Sequence, residues 1–148
     1  MVDELERLYR TRLNELVRAA AAIAGDREAG RDAVQDAFAK AVRQRRRFRG
    51  DGTLEAWVWR IVVNAARDAR RRRRPEPATS RRGHDERPAL PLEVLTDRQR
   101  EILFLHYYAD LDYETIGRAL DISPGTVGAT LSTARATLRR ALTEEVAL

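Results

Sequence analysis

Ser123-Pro-Gly-Thr-Val127, followed by Ala129, Thr130 and Thr133, is the stretch whose residue types and spacing best suit a specific chemistry. That chemistry is recognition by hydrogen bonding and close approach. Ser123 offers a hydroxyl to the orphan amides of a helix start, and Pro124 stands at the first helical position, where a missing N–H costs nothing. Val127, Leu131, Ala134, Leu138 and Leu142 then recur at helical spacing, so one stripe is apolar and its neighbours Thr126, Ala129, Thr130 and Thr133 face outward. Upstream, Asp112 can cap a shorter helix running to about Leu120, with Ile116 and Leu120 inward and Asp121-Ile122 breaking the pattern. A short helix braced against a longer one with an uncluttered outer face is the helix-turn-helix arrangement, whose second helix enters a DNA major groove. An ordinary helical hairpin is the plainer reading of the same residues.

Bond-making chemistry finds little support. His84 stands in a proline-rich stretch and His106 is isolated on an apolar helix. The chain has no cysteine, and Gly50-Asp-Gly is a turn and not a phosphate loop. No catalytic residue, metal ligand or cofactor site is therefore expected, and the chain is read as a binder.

The elements that position these residues are all helical. Leu5, Leu8, Tyr9, Leu13, Leu16, Val17, Ala20, Ile23 and Ala24 keep i, i+3, i+4 spacing, and Gly25-Asp26 ends that helix. A second helix is predicted from about Arg27 to Gln44, with Val34, Ala37, Phe38, Ala41 and Val42 inward. After a turn at Arg49-Gly-Asp-Gly, Thr53 caps a third helix reaching about Arg73, with Leu54, Trp57, Val58, Ile61, Val62 and Ala65 buried. Thr96-Asp-Arg-Gln has the capping-box pattern and opens a fourth helix, on which Ile102, Leu103, Leu105 and Tyr108 face the helix-turn-helix. Pro75, Pro77, Pro88 and Pro91 punctuate a stretch without an apolar stripe, which reads as a flexible linker. The expected fold is thus all-α, with two small helical domains at 1–74 and 92–148 joined by 75–91.

Charge is unevenly distributed. Residues 43–74 hold twelve arginines against Asp51, Glu55 and Asp68, whereas residues 91–148 hold nine acids and six bases. A segregated arginine block is the footprint of a phosphate-binding surface; for Arg70 to Arg74 a solvated basic run remains the alternative. No run approaches the ~20 apolar residues of a membrane span, and Ala19 to Ala24 is too short and lacks the basic leader of a signal sequence. A cytoplasmic protein without membrane association is expected, with no regulatory domain beyond Leu148.

Taken in order, Asp32-Ala-Val-Gln-Asp-Ala-Phe38, Phe48-Arg-Gly-Asp-Gly-Thr-Leu-Glu-Ala-Trp57, Ile61-Val-Val-Asn64, Asp68-Ala-Arg70-Arg71, Leu95-Thr-Asp-Arg-Gln-Arg-Glu101, Tyr113-Glu-Thr-Ile-Gly and Ser123-Pro-Gly-Thr-Val127 carry a resemblance. The chain resembles a bacterial RNA polymerase sigma factor of the sigma-70 family, extracytoplasmic-function type, built of regions 2 and 4 alone. The resemblance implies a factor that binds core polymerase and directs initiation at promoters with −10 and −35 elements. The implied partners are core RNA polymerase (β′ clamp helices and β flap), promoter DNA and, as a further candidate, an anti-sigma factor.

The same resemblance assigns roles to residues. Asp32, Gln35 and Asp36 would dock on the β′ clamp helices; a solvated acidic helix face is the alternative. Arg49, Trp59, Arg60, Asn64, Arg67, Arg70 and Arg71 would open and hold the −10 element, since splayed bases need stacking surfaces and hydrogen-bonding side chains. Trp57 is read as core packing, and Trp59 as either core edge or base platform. Ser123, Gly125, Thr126, Ala129, Thr130 and Thr133 would read the −35 element. Here the chain departs from its relatives: Gly128, Ala129 and Thr130 stand where a basic residue, serine and a second basic residue are usual. Weak duplex binding or an unusual −35 sequence is expected. A free-standing helix-turn-helix regulator, or a sigma-like protein acting mainly through an anti-sigma partner, are the competing functions.

Overall fold

The computed structural model describes residues 1–72 and 91–147. They form an all-α structure: α1 (Val2–Ala24), α2 (Arg27–Arg43), α3 (Leu54–Arg72), α4 (Asp97–Tyr107), α5 (Tyr113–Leu120) and α6 (Pro124–Ala147). Most of the predicted linker lies outside the described residues.

The helix boundaries follow from local chemistry. Gly25 takes a left-handed conformation (φ 108°) and closes α1, and its amide donates to Ala21 O at 2.8 Å. Asp26 caps α2 by accepting from Ala29 N at 2.6 Å. Thr53 Oγ1 accepts from Ala56 N at 3.1 Å at the start of α3. Thr96 and Gln99 form the reciprocal box expected of them, Gln99 N donating to Thr96 Oγ1 (3.1 Å) and Thr96 N to Gln99 Oε1 (2.9 Å).

Helices α1, α2 and α3 pack about Leu5, Leu16, Ala20, Ile23, Val34, Ala37, Phe38, Val58 and Val62, and α4–α6 about Ile102, Leu105, Ile116, Val127 and Leu131. The two halves also pack on each other. Helix α3 lies between α1 and α2 on one side and α5 on the other, with α1 touching α4. This second covering changes the reading of α3. Trp59 is fully buried, with Val63 and Ala66, while Trp57 is half-buried against Phe48, ring centroids 5.6 Å apart. Trp59 therefore packs in the interior and presents no face on which a base can stack.

Three further expectations are corrected. Leu142 is 38% exposed because α6, at 24 residues, outruns the 11-residue α4 it packs on. Tyr108 follows the last residue of α4 and is exposed, its ring stacked on the buried Phe104. Val42 lies at the edge of the α2 stripe, about 100° round from Ala41, and is exposed while Ala41 is buried.

Candidate nucleic-acid interface

The helix-turn-helix is assembled by its caps and one close contact. Asp112 accepts from Thr115 N at 2.8 Å, and hydrogen bonds from Thr115 hold its carboxyl below the ordinary range. At the turn, Asp121 is left-handed (φ 60°) and Ile122 N donates to Gly117 O at 2.9 Å. A Cβ on Gly117 would stand 2.6 Å from Ile122 O, so only glycine lets the turn close this tightly. Ser123 Oγ then accepts from Thr126 N at 3.1 Å and shares a 2.8 Å hydrogen bond with Thr126 Oγ1.

On α6, Ser123, Gly125, Thr126, Ala129 and Thr133 are exposed and Thr130 is half-buried, while Val127, Leu131, Ala134 and Leu138 face inward. Thr133 Oγ1 donates to Ala129 O at 3.1 Å, leaving its lone pairs as the outward function. Gly128 faces Tyr113: an added Cβ would meet Tyr113 Cε2 at 3.2 Å. An aromatic ring thus occupies the space beside Gly128. His106, half-buried, places Nδ1 3.0 Å from Leu111 O and packs on Tyr107 and Tyr113; its role is to brace the loop before α5.

The residues assigned to the −10 element divide into two groups. Arg60, Arg67 and Arg70 turn toward the second half of the chain. Arg60 Nη2 donates to Arg118 O at 2.7 Å and lies 3.6 Å from Asp121 Oδ1. Arg67 grips Glu101 bidentately, Nε donating to Oε1 at 2.9 Å and Nη2 to Oε2; the Glu101 side chain is 9% exposed and that of Arg67 27%. Arg67 is raised above its ordinary pKa chiefly by this hydrogen bonding. Arg70 Nη2 lies 3.4 Å from Asp97 Oδ1, and Asp97 is lowered first by its hydrogen bond from Arg100 and further by Arg70. Asn64, Arg49 and Arg71 remain exposed. Asn64 opens on a groove of about 310 Å3 between α2 and α3, whose cations are Lys40, Arg43 and Arg72. Sequence reasoning missed these neighbours. Their signal was the i, i+4, i+7 spacing of Asp36, Lys40 and Arg43 on the outer face of α2.

Asp32, Gln35 and Asp36 are exposed, on the opposite side of α2 from its buried stripe. Asp32 and Asp36 share one shallow groove with Ala65, Ala69 and Arg72, while Gln35 lines a different one with Tyr9, Arg31 and Tyr108. Among the described residues no group of His, Cys, Asp or Glu is arranged to hold a metal ion, and no helix is long and apolar enough to cross a membrane.

Comparison with known proteins identifies the family. The family model for sigma-70 region 2 covers residues 8–76 and that for sigma-70 region 4 covers residues 92–138. The RNA polymerase sigma-E factor of Streptomyces coelicolor is 28% identical, the match spanning 95% of this chain and 87% of the relative. RNA polymerase sigma factor YlaC of Bacillus subtilis is 26% identical over 96% and 94% of the two chains. Over a shorter span, 51% of this chain and 37% of the relative, the ECF RNA polymerase sigma factor SigM of Mycobacterium tuberculosis is 37% identical. Among solved structures, CnrH in complex with the cytosolic domain of CnrY superposes with a TM-score of 0.75 at 25% identity, covering 96% of this chain and 89% of that one. The chain belongs to the sigma-70 family of RNA polymerase sigma factors, in the extracytoplasmic-function form that carries regions 2 and 4.

Proposed function

We propose that this sigma factor docks on the β′ clamp helices of core polymerase through Asp32, Gln35 and Asp36, opens and holds the −10 element with α3, and reads the −35 element with α6. The observation that carries the reading is the capped α5–turn–α6 unit, with a small, hydroxyl-bearing outer face, in one chain with a separate acidic helix face on α2. A lone DNA-binding repressor needs the first feature and not the second.

On α6, Thr126, Thr130 and Thr133 supply hydroxyls, while Gly125 and Ala129 permit close approach; Ser123 secures the helix start that points at the DNA. On α3, Asn64 suits a bidentate pair with adenine, and Arg49, Arg60, Arg67, Arg70 and Arg71 suit phosphates. The apolar groove of about 400 Å3 lined by Leu92, Leu103, Phe104, Leu138 and Leu142 is where the β flap would seat. Resemblance to CnrH, solved with a protein domain bound, supports an anti-sigma partner for this chain as well. The protein acts in the cytoplasm, where the polymerase is.

Run-off transcription with core polymerase on promoter DNA from the same genome tests the whole reading, and specific initiation is expected. Asp32→Lys with Asp36→Lys should abolish holoenzyme formation while leaving helix content and melting unchanged, because both side chains point to solvent. Holoenzyme formed normally by that variant would refute the docking assignment. Nanomolar, sequence-specific duplex binding by the isolated chain would favour a free-standing regulator instead.

A further inference from the structure

Away from both faces assigned to DNA, a groove of about 540 Å3 opens between α1 and α2, with Tyr108 on its wall. The two helices pair antiparallel. At one end Gly30 presses on Ala21, where an added Cβ would lie 2.4 Å from Ala21 Cα; at the other, Tyr9 packs edge-on against Phe38 with centroids 5.0 Å apart. Helical spacing then sets the lining: Asn14 and Arg18 from α1, and Arg27, Arg31 and Gln35 from α2. The register sorts these residues by chemistry. Arg18, Arg27 and Arg31 stand within three residues of the Ala21–Gly30 crossing along the chain. Asn14, Gln35 and Tyr9 lie toward the other end, joined by Tyr108, whose neighbour Ala109 accepts from Arg12 of α1.

No carboxylate lines this groove. Among the described residues, the exposed guanidinium groups of Arg18, Arg27 and Arg31 take part in no ion pair or hydrogen bond, whereas those of Arg12, Arg60, Arg67 and Arg70 are all engaged. Three unpaired cations on a concave wall focus positive potential, and the guanidinium fork suits phosphate oxygens. At the far end the Tyr108 ring is stacked by one face on Phe104, centroids 5.5 Å apart, which keeps the other for a planar ligand. The amides of Asn14 and Gln35 both donate and accept, as base edges require. We propose that this groove binds a nucleoside polyphosphate, with its phosphates on Arg18, Arg27 and Arg31 and its base beside Tyr108. An inorganic anion would use the arginine end alone and leave the ring and amides idle. The volume lies within the roughly 300–1,000 Å3 of small-molecule sites.

Isothermal titration of the full chain with GTP and with ATP tests this, alongside inorganic tripolyphosphate, the free nucleosides, a poly-glutamate peptide and a single-stranded oligonucleotide. One nucleotide should bind per chain, about tenfold or more tighter than tripolyphosphate, because stacking of the base adds to the phosphate contacts. Arg18→Gln with Arg31→Gln should weaken nucleotide and tripolyphosphate alike, and Tyr108→Leu the nucleotide alone. Arg46→Gln, exposed and outside the groove, should change neither. Helix content and melting check that the variants are folded, with Arg27→Gln as a second route should the double variant be destabilised. Absence of saturable nucleotide binding overturns the proposal, as does an equal loss from Arg46→Gln, which marks diffuse attraction to arginine. Tripolyphosphate bound as tightly as nucleotide, or indifference to Tyr108→Leu, removes the base from the site. Peptide or strand bound more tightly than nucleotide, and lost in the same arginine variants, would replace the nucleotide by that partner.

Discussion

Replacing Gly117 by alanine opposes two effects of known sign. In an ordinary helix interior the change stabilises by about 1 kcal/mol, because alanine loses less backbone entropy on folding. At position 117 the new Cβ would lie 2.6 Å from Ile122 O and 3.5 Å from Pro124 N and Ser123 C. These are backbone atoms of the turn itself, and Ile122 N is bonded back to Gly117 O at 2.9 Å. Relief requires the turn to open by more than half an ångström, and overpacking of this kind costs about 1–3 kcal/mol. Steric cost should offset or exceed the gain, leaving a net loss of about 0–2 kcal/mol and a melting temperature lower by up to roughly 6 °C. Two neighbouring glycines supply the comparison. At Gly125 the nearest atom is Ser123 Oγ at 3.9 Å, so alanine should stabilise; at Gly128 the obstacle is the Tyr113 ring at 3.2 Å, which can swing, so the change should be near neutral. Urea titration followed by helical circular dichroism should rank the variants Gly125→Ala, Gly128→Ala, Gly117→Ala in falling stability. If Gly117→Ala proves as stable as Gly125→Ala, the claim that this glycine is required by turn closure is wrong.

Other substitutions probe the DNA-facing and buried positions. Thr130→Arg should strengthen upstream duplex binding by holoenzyme and steepen its salt dependence by about one unit of log–log slope; binding that stays flat would mean that this face of α6 does not reach phosphate. Trp59→Phe should lower stability by about 1–3 kcal/mol, as core truncations do, yet leave −10 strand opening intact under permanganate footprinting. A specific loss of opening would restore the base-platform role. Asp112 and Asp97 are both held below their ordinary pKa, so each contributes stability above the unfolded carboxylate value near 4, and that contribution is lost as pH falls through the lower folded value. Melting temperature should therefore hold from about pH 7 to pH 5 and drop below about pH 4, and Asp112→Asn should flatten part of that drop.

Much of this molecule is written locally. The caps at Thr53, Thr96, Asp112 and Ser123 were legible because each depends on a hydroxyl or carboxylate within three residues of the amide it satisfies. The outward placement of Asp32, Gln35 and Asp36 was legible for a similar reason: helical periodicity sets which side of α2 is apolar. The second burial of α3 was not. Val58, Ile61 and Val62 announce one inward face, and a helix with one such face is read as turning the opposite side to solvent. Only the fold shows Trp59, Val63 and Ala66 buried as well, on a helix whose arginines reach partners 34 residues away at Glu101 and 58 away at Arg118. Periodicity carries no information about a partner at that separation, and an arginine awaiting phosphate has the same sequence as one already holding a carboxylate. Composition and spacing thus determined the helices, their ends and the family. Tertiary packing alone decided which of the arginines are free and why Gly128 faces a ring, because both depend on what another part of the chain places within 4 Å.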